Sequence, residues 1–259
     1  MIVLKRLIVI AALFTCSQLR AEPFTAFSDG ERLVYKVSWG FLGAGEIEMM
    51  AKAETGPDGK QLMRITNTIA SKGLVRGMYR FDNKAEVLIE RDTDRMLWVA
   101  EKGMERSKPT ESRTDFDYSA KIAHHKDTYR PNRSRDIPLP SDAEPIDLLS
   151  ALVQTRHWNI KVGDARDLLV YFGRDLYSIT IRAEGVEEVD TPLGDFQALV
   201  LTPRMEKQPP QGVFKKGEIK VWIAQSGDRL PVKMKLQLGF GTATLTLIEH
   251  TVPKPQPTK

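Results

Sequence analysis

The chain has 259 residues, a single cysteine, and 38 Lys+Arg against 34 Asp+Glu. That length supports a core that stands without cross-links, and one cysteine excludes an internal disulfide or a multi-thiolate metal site. The formal charge of +4 is concentrated at the start, since removing Lys5, Arg6 and Arg20 leaves 35 basic against 34 acidic residues, which argues against a generally basic nucleic-acid or membrane-binding surface.

Residues 1–21 are expected to be a cleaved export signal. Lys5 and Arg6 precede the apolar run Leu7–Phe14, and the small residue Ala21 stands just before Glu22. The run is far short of the ~20 apolar residues of a membrane span, and no second hydrophobic stretch succeeds it. A periplasmic location is therefore expected. Lipidation at Cys16 is disfavoured, because Phe14 and Thr15 precede it rather than small residues.

Period-two alternation dominates the rest of the chain. In "LVYKVSWGF", Leu33, Tyr35, Val37, Trp39 and Phe41 share one face, and "LGAG" (residues 42–45) is expected to turn the chain before Ile47, Met49 and Ala51 resume the pattern. "TGPDGK" supplies a second hairpin turn, and a short helical turn is expected near "GLVRGMYRF". Further strands are expected at "AEVLIE", "RMLWVAE", "RTDFDY", "LLVYFG" and "YSITIRAEGVEEV". "FQALVLTP", "EIKVWIA", "LPVKMKLQL" and "TATLTLIEH" continue the series to the end of the chain. Connections this short favour antiparallel pairing.

The one longer helical pattern covers residues 141–158, "SDAEPIDLLSALVQTRHW". Ser141 and Glu144 suit a capping box, Pro145 suits the first turn, and Ile146, Leu149, Leu152 and Val153 form an apolar stripe. The expected fold is mainly β: a large curved antiparallel sheet or incomplete barrel with this amphipathic helix packed on it. A single domain over residues 22–250 is expected, with a disordered Pro-rich tail at 251–259.

Signals for chemistry are weak. His124 and His125 are adjacent, so on a strand their rings point to opposite faces, and no metal-binding spacing occurs. There is no nucleophile elbow and no Walker lysine. Asp115 and Asp117 share a strand face, which a solvent-facing strand explains more simply than a hydrolase does. No cofactor, no metal and no nucleic-acid partner are expected.

The apolar residues are more suggestive. Besides Met1 there are eight methionines, a side chain that adapts to varied greasy ligands as readily as it fills cores. Trp39, Trp98 and Trp222 fall in expected strands, and with Met49 and Met234 they are the candidates for a hydrophobic wall.

Four segments together resemble a known group: "VYKVSWGFLGAGEIEM", "EPIDLLSALVQTR", "EEVDTPLGDFQALVLTP" and "KVWIAQSGDRLPVKM". They are similar to the exported bacterial proteins of domain-of-unknown-function family 3108, over about Glu31 to Glu249. The match rests on Gly43, Gly45, Glu46, Asp147, Arg156, Pro192, Gly194, Trp222 and Pro231, among others. The chain departs at "IAQSGD", where acids are commoner after the tryptophan. The resemblance implies topology and structural roles for these residues, and no activity. The Trp-turn-Pro hairpin alone also resembles one in periplasmic lipoprotein carriers.

The function expected is therefore non-enzymatic: binding or carrying a lipid, acyl chain or lipoprotein in the periplasm. The alternatives are an envelope structural or interaction module that binds a protein partner, and a hydrolase whose site has no sequence signature.

Overall fold

The computed structural model describes residues 26–205, 218–238 and 241–253. The expected export segment with Cys16, the Pro-rich loop at 206–217 and the tail beyond residue 253 lie outside them.

Among the described residues the alternating runs form fifteen strands of one sheet. A first meander comprises β1 (Arg32–Trp39), β2 (Leu42–Thr55), β3 (Gln61–Ser71), β4 (Phe81–Glu90), β5 (Arg95–Glu105), β6 (Lys108–Asp117), β7 (Ile122–Asp127) and β8 (Arg135–Pro138). The short helix α1 (Gly73–Met78) interrupts it between β3 and β4, at the place of the expected helical turn. A second meander comprises β9 (Ile146–Asp147), β10 (Ala165–Phe172), β11 (Asp175–Thr191), β12 (Gly194–Met205), β13 (Glu218–Ala224), β14 (Pro231–Leu238) and β15 (Gly241–Thr251). Helix α2 (Leu148–Gln154) and a 3₁₀ turn (Thr155–His157) join β9 to β10. That crossover makes β9–β10 the one parallel pair among the described residues.

The spatial order runs β8 through β1, then β15 through β9. Only the β1–β15 ladder is remote in sequence; it pairs Arg32 with Thr251 and Trp39 with Ala243. Arg32 clasps this junction, reaching Glu48 on β2 and Glu249 on β15 at 2.6 Å each.

The sheet curls without closing, and β8 and β9 are its edges. Side chains bridge the gap that no ladder spans. The Thr114 hydroxyl lies 2.6 Å from the Tyr171 hydroxyl and 2.9 Å from His125 Nδ1. Arg135 donates to the Arg174 carbonyl and pairs with Asp175. His124, on the opposite face, is exposed and pairs with Asp136 at 2.7 Å.

Two apolar clusters fill the interior. On β12 and β13, Ala198, Val200, Trp222 and Ala224 belong to the cluster that includes Leu33, Tyr35, Met49, Met63 and Val99. Leu199, Leu201, Val221 and Ile223 belong to the other, on the opposite face, with Ala151 and Leu152 of α2. The C-terminal meander is thus apolar on both faces, as the runs in β12 and β13 imply.

Three local expectations are corrected. The long helix begins at Leu148 rather than near Ser141, because Asp147 is the better cap: its carboxylate accepts the N–H groups of Leu149 and Ser150, each at 3.0 Å. Pro145 holds the residue before it extended, and Glu144 pairs with Arg95 at 2.6 Å instead of closing a capping box. The first hairpin turns at Gly40–Phe41, not at residues 42–45, since Gly40 adopts φ +56°. Phe41 consequently leaves the inward face and is 96 % exposed.

Gly45 lies inside β2, where a Cβ would stand 2.5 Å from the Ala70 carbonyl oxygen, whereas a Cβ at Gly43 meets nothing within 4 Å. Gly45→Ala is expected to lower unfolding free energy by about 1–3 kcal/mol, with Gly43→Ala nearly neutral. Urea melts of both variants check this, and equal costs would contradict it.

Candidate functional site

A partly enclosed apolar space lies between α2 and the second meander. Leu148, Leu149, Ala151, Leu152 and Thr155 form its helical wall. The sheet wall comes from β10 to β14, with Val170, Ile181, Leu201, Val221 and Met234 at its centre. The cavity between these side chains holds about 70 Å³, a narrow slot below the roughly 300–1,000 Å³ of drug-sized ligand sites. The exposed wall carries no polar surface. Thr155, the one hydroxyl in the lining, donates to the Leu152 carbonyl at 2.5 Å and offers nothing to a guest.

The wall is held in place by α2's mountings. Beyond its end, Arg156 donates to Glu31 Oε1 at 2.6 Å, to the Ala26 carbonyl at 3.1 Å and to the Asp228 carbonyl at 3.0 Å. The Arg156 and Glu31 side chains are both buried, at 7 % and 1 % exposure. Glu31 also accepts the Ser28 N–H at 2.8 Å and lies 2.9 Å from His250 Nε2. Burial alone would raise the Glu31 carboxyl, but the Ser28 N–H, Arg156 and His250 together hold it below the usual carboxylate range.

Along the helix, Gln154 Nε2 donates to both carboxylate oxygens of Asp94, at 2.9 and 2.8 Å. Asp94 sits in the β4–β5 turn with φ +62°. Burial pushes its carboxyl up to about 6, against the opposing Gln154 hydrogen bond. Burial likewise raises the Asp147 carboxyl.

The expected wall residues are dispersed. Met234 lines the cavity. Met49 is 1 % exposed in the first cluster. Trp39 lies across Gly241, whose missing Cβ would fall 2.6 Å from its Nε1. Trp98 stacks against the guanidinium groups of Arg64 and Arg113, at 5.0 and 4.4 Å. Trp222 donates to Glu187 at 2.8 Å, with Lys233 over its ring.

The motif residues occupy structural positions. Glu46 pairs with Lys72 at 2.5 Å. Pro192 lies in the exposed two-residue turn between Thr191 and Gly194, where Gly194 adopts φ +116°. Pro231 opens β14 beside a register shift, and its carbonyl accepts the Tyr35 hydroxyl at 2.9 Å. Asp115 and Asp117 face solvent, engaged by Arg113 and by the turn at Ser119–Ala120. Among the described residues no three His, Cys, Asp or Glu side chains group as metal ligands.

Sequence reading misses Glu31 and Asp94. Both sit in polar turns, where a carboxylate reads as solvated. The aliphatic lining from β10 and β11 is legible only as strand periodicity.

A curled sheet whose edges meet through side chains, around a helix-walled apolar cavity, defines an open barrel-like β protein. The chain belongs to the family DUF3108, a protein family of unknown function, whose model matches residues 34–248. No curated protein matches it. Among solved structures, it is similar to a β-barrel-like protein of the unknown-function family DUF1849 from Brucella abortus. That match has 8 % identity and TM-score 0.56, covering 86 % of this chain and 98 % of that one. At such identity the likeness concerns the fold alone. Weaker matches are a Bacteroides fragilis protein described as exported with a YmcC-like fold (12 % identity, TM-score 0.38, covering 89 % and 100 %) and a Parabacteroides distasonis chain described as a lipoprotein (10 %, 0.33, covering 89 % and 99 %).

Two electrostatic predictions have opposite signs. Glu31 is depressed in the folded state, so its contribution is present above the ordinary glutamate value and lost as pH falls through the folded value. Glu31→Gln strands the buried Arg156 and is expected to cost about 3–5 kcal/mol at pH 7, with a flatter acid limb in pH-dependent melts. Asp94 is raised, so the folded state is favoured by protonation and loses stability as pH rises towards and through about 6. Asp94→Asn, compatible with the left-handed backbone, is expected to gain about 1 kcal/mol at pH 7.5, after discounting for solvent screening. It should gain nothing at pH 4, and a gain independent of pH would contradict the assignment.

Proposed function

We propose that the protein is a non-enzymatic, exported binder of a hydrophobic ligand with an unbranched acyl portion. The observation that carries this is the cavity under α2: an apolar lining from six elements with a helix for one wall. Transfer of an acyl chain from water into such a lining gains about 0.8 kcal/mol per methylene. An unbranched chain suits a narrow slot with no polar group to fix an orientation. Export is supported by the charge and hydropathy pattern of residues 1–21.

The mobility of such a ligand is governed by α2, which has to lift or flex for an acyl chain to enter. Its rigid mountings at Arg156 and Gln154 leave the apolar side chains between them as the adjustable part of the wall.

Protein purified from its producing cells is expected to release a lipid or fatty acid on organic extraction, identified by mass spectrometry. The emptied protein should take up a fluorescent fatty acid. Ala151→Leu fills the slot, and is expected to reduce uptake about tenfold or more while leaving melting temperature equal or higher. A clean extract together with no uptake would overturn the proposal. So would uptake unchanged by Ala151→Leu, because the probe would then be bound elsewhere.

A further inference from the structure

A second interior region has the opposite chemistry. Among the described residues, seven buried side-chain nitrogen or oxygen atoms lack a hydrogen-bond partner, and five belong to Asn67, Asn83, Asp147 and Ser150. Native interiors leave few such atoms, and a concentration of them marks a place where water or an ion is held.

The sheet register places the floor of this region. Asn67 on β3 is paired with Ala85 on β4, and Ala85 with Glu101 on β5. In the next inward-facing row, Asn83 is paired with Gly103. These positions lie two or four residues from Ile65, Val87 and Val99, so they share the face that carries the first core cluster. Ala85 and Gly103 separate the polar side chains with minimal bulk. A Cβ at Gly103 would stand 3.0 Å from Asn83 Oδ1. Asn67 is 1 % exposed, and neither end of its amide is partnered.

The other side comes from the start of α2. The β9 strand packs against β5. Asp147 uses one carboxylate oxygen to cap the helix, while Oδ2 has no partner. The Ser150 hydroxyl, on the same helical face, is wholly buried; it makes no well-aligned hydrogen bond, yet it lies close enough to the Asp147 carboxylate to oppose the effect of burial on it. Glu101 lies on β5, the strand against which β9 and so Asp147 pack; burial raises its carboxyl, and the negative charge of Asp147 adds to that.

Four of the five orphaned atoms are oxygens, and Glu101 adds a carboxylate. Such an acceptor-rich set suits a donor without acceptors of its own. We propose that this chamber binds a hard divalent cation of the calcium type, through Glu101, Asp147, Asn67, Asn83 and Ser150. Two carboxylates, amide oxygens and a hydroxyl are the ligand types Ca²⁺ takes, with water completing the shell. A softer transition metal would prefer nitrogen or sulfur ligands. The cation supplies positive charge between the buried Asp147 and the half-buried Glu101, and it ties the start of α2 to the first meander. This inference is independent of the acyl-binding proposal, because the two regions draw on different side chains.

The test uses the full chain, stripped with chelator and then titrated with CaCl₂ or TbCl₃. Calcium is expected to bind with a dissociation constant on the order of 10⁻⁴–10⁻³ M, to raise the melting temperature, and to displace tryptophan-sensitised Tb³⁺ emission. Glu101→Gln should weaken binding about tenfold or more, and Asn67→Asp should strengthen it. A merely structural role predicts no gain from Asn67→Asp. No thermal shift at about 10 mM calcium and no Tb³⁺ emission would overturn the proposal, leaving water as the occupant. Binding unaffected by either substitution would overturn it too, by placing the ion elsewhere.

Discussion

The buried pair between Glu31 and Arg156 is the constraint on which the arrangement of this molecule depends. Four remote segments converge on it: the residues before β1, the end of α2, the β13–β14 turn through the Asp228 carbonyl, and β15 through His250. Desolvating two charges offsets much of their attraction, and apolar replacement of such pairs is often neutral. What an apolar patch lacks is direction. A guanidinium with three fixed acceptors permits one placement of the helix end, and so one shape for the cavity wall that the helix supplies.

The remaining architecture divides the work between backbone and side chains. Ladders carry the chain through two meanders, and hydrogen-bonding side chains join the edges that ladders leave open. The Thr114–Tyr171–His125 cluster and the Arg135 contacts do at the seam what a further strand pair would do in a closed barrel. A side-chain seam tolerates a larger separation than the strand spacing of about 4.8 Å, and α2 packs on β9 and β10 at the edge that it joins. The same helix separates two interiors of opposite character. Its apolar residues face the slot, while Asp147, Ser150 and Gln154 recur on one face, from which Gln154 reaches Asp94 of the first meander.

Much of the fold is legible in the sequence because strand periodicity is a local signal. Leu33 and Tyr35 alternate with Lys36, and Val221 and Ile223 flank Trp222, and each pattern reports its burial directly. The hairpin at Ser226–Asp228 is readable for the same reason, with Gly227 and Arg229 both at positive φ. The start of α2 is misread because Ser141 and Glu144 satisfy a local capping rule, whereas the tertiary pairing of Ile146 with Val170 holds the chain extended up to Asp147, which then caps the helix. The cavity is readable only in part. Its lining is drawn from six elements, and aliphatic residues in strands look alike whether they face packed atoms or space. Tryptophan is a poor guide, since Trp98 and Trp222 are committed to arginine stacking and to Glu187.

The pairing of β1 with β15 has a consequence for how the chain assembles. Every other ladder joins neighbours along the chain, so each meander can zip from its own turns. The ladder from Arg32–Thr251 to Trp39–Ala243 instead closes a loop of almost the entire domain. Loop entropy grows only logarithmically with length, but the search for so distant a partner slows the encounter. Two meanders joined by a single remote seam place the start of β1 beside the end of β15. The chain could be re-joined there and opened at a peripheral turn, with the same ladders formed in a different order.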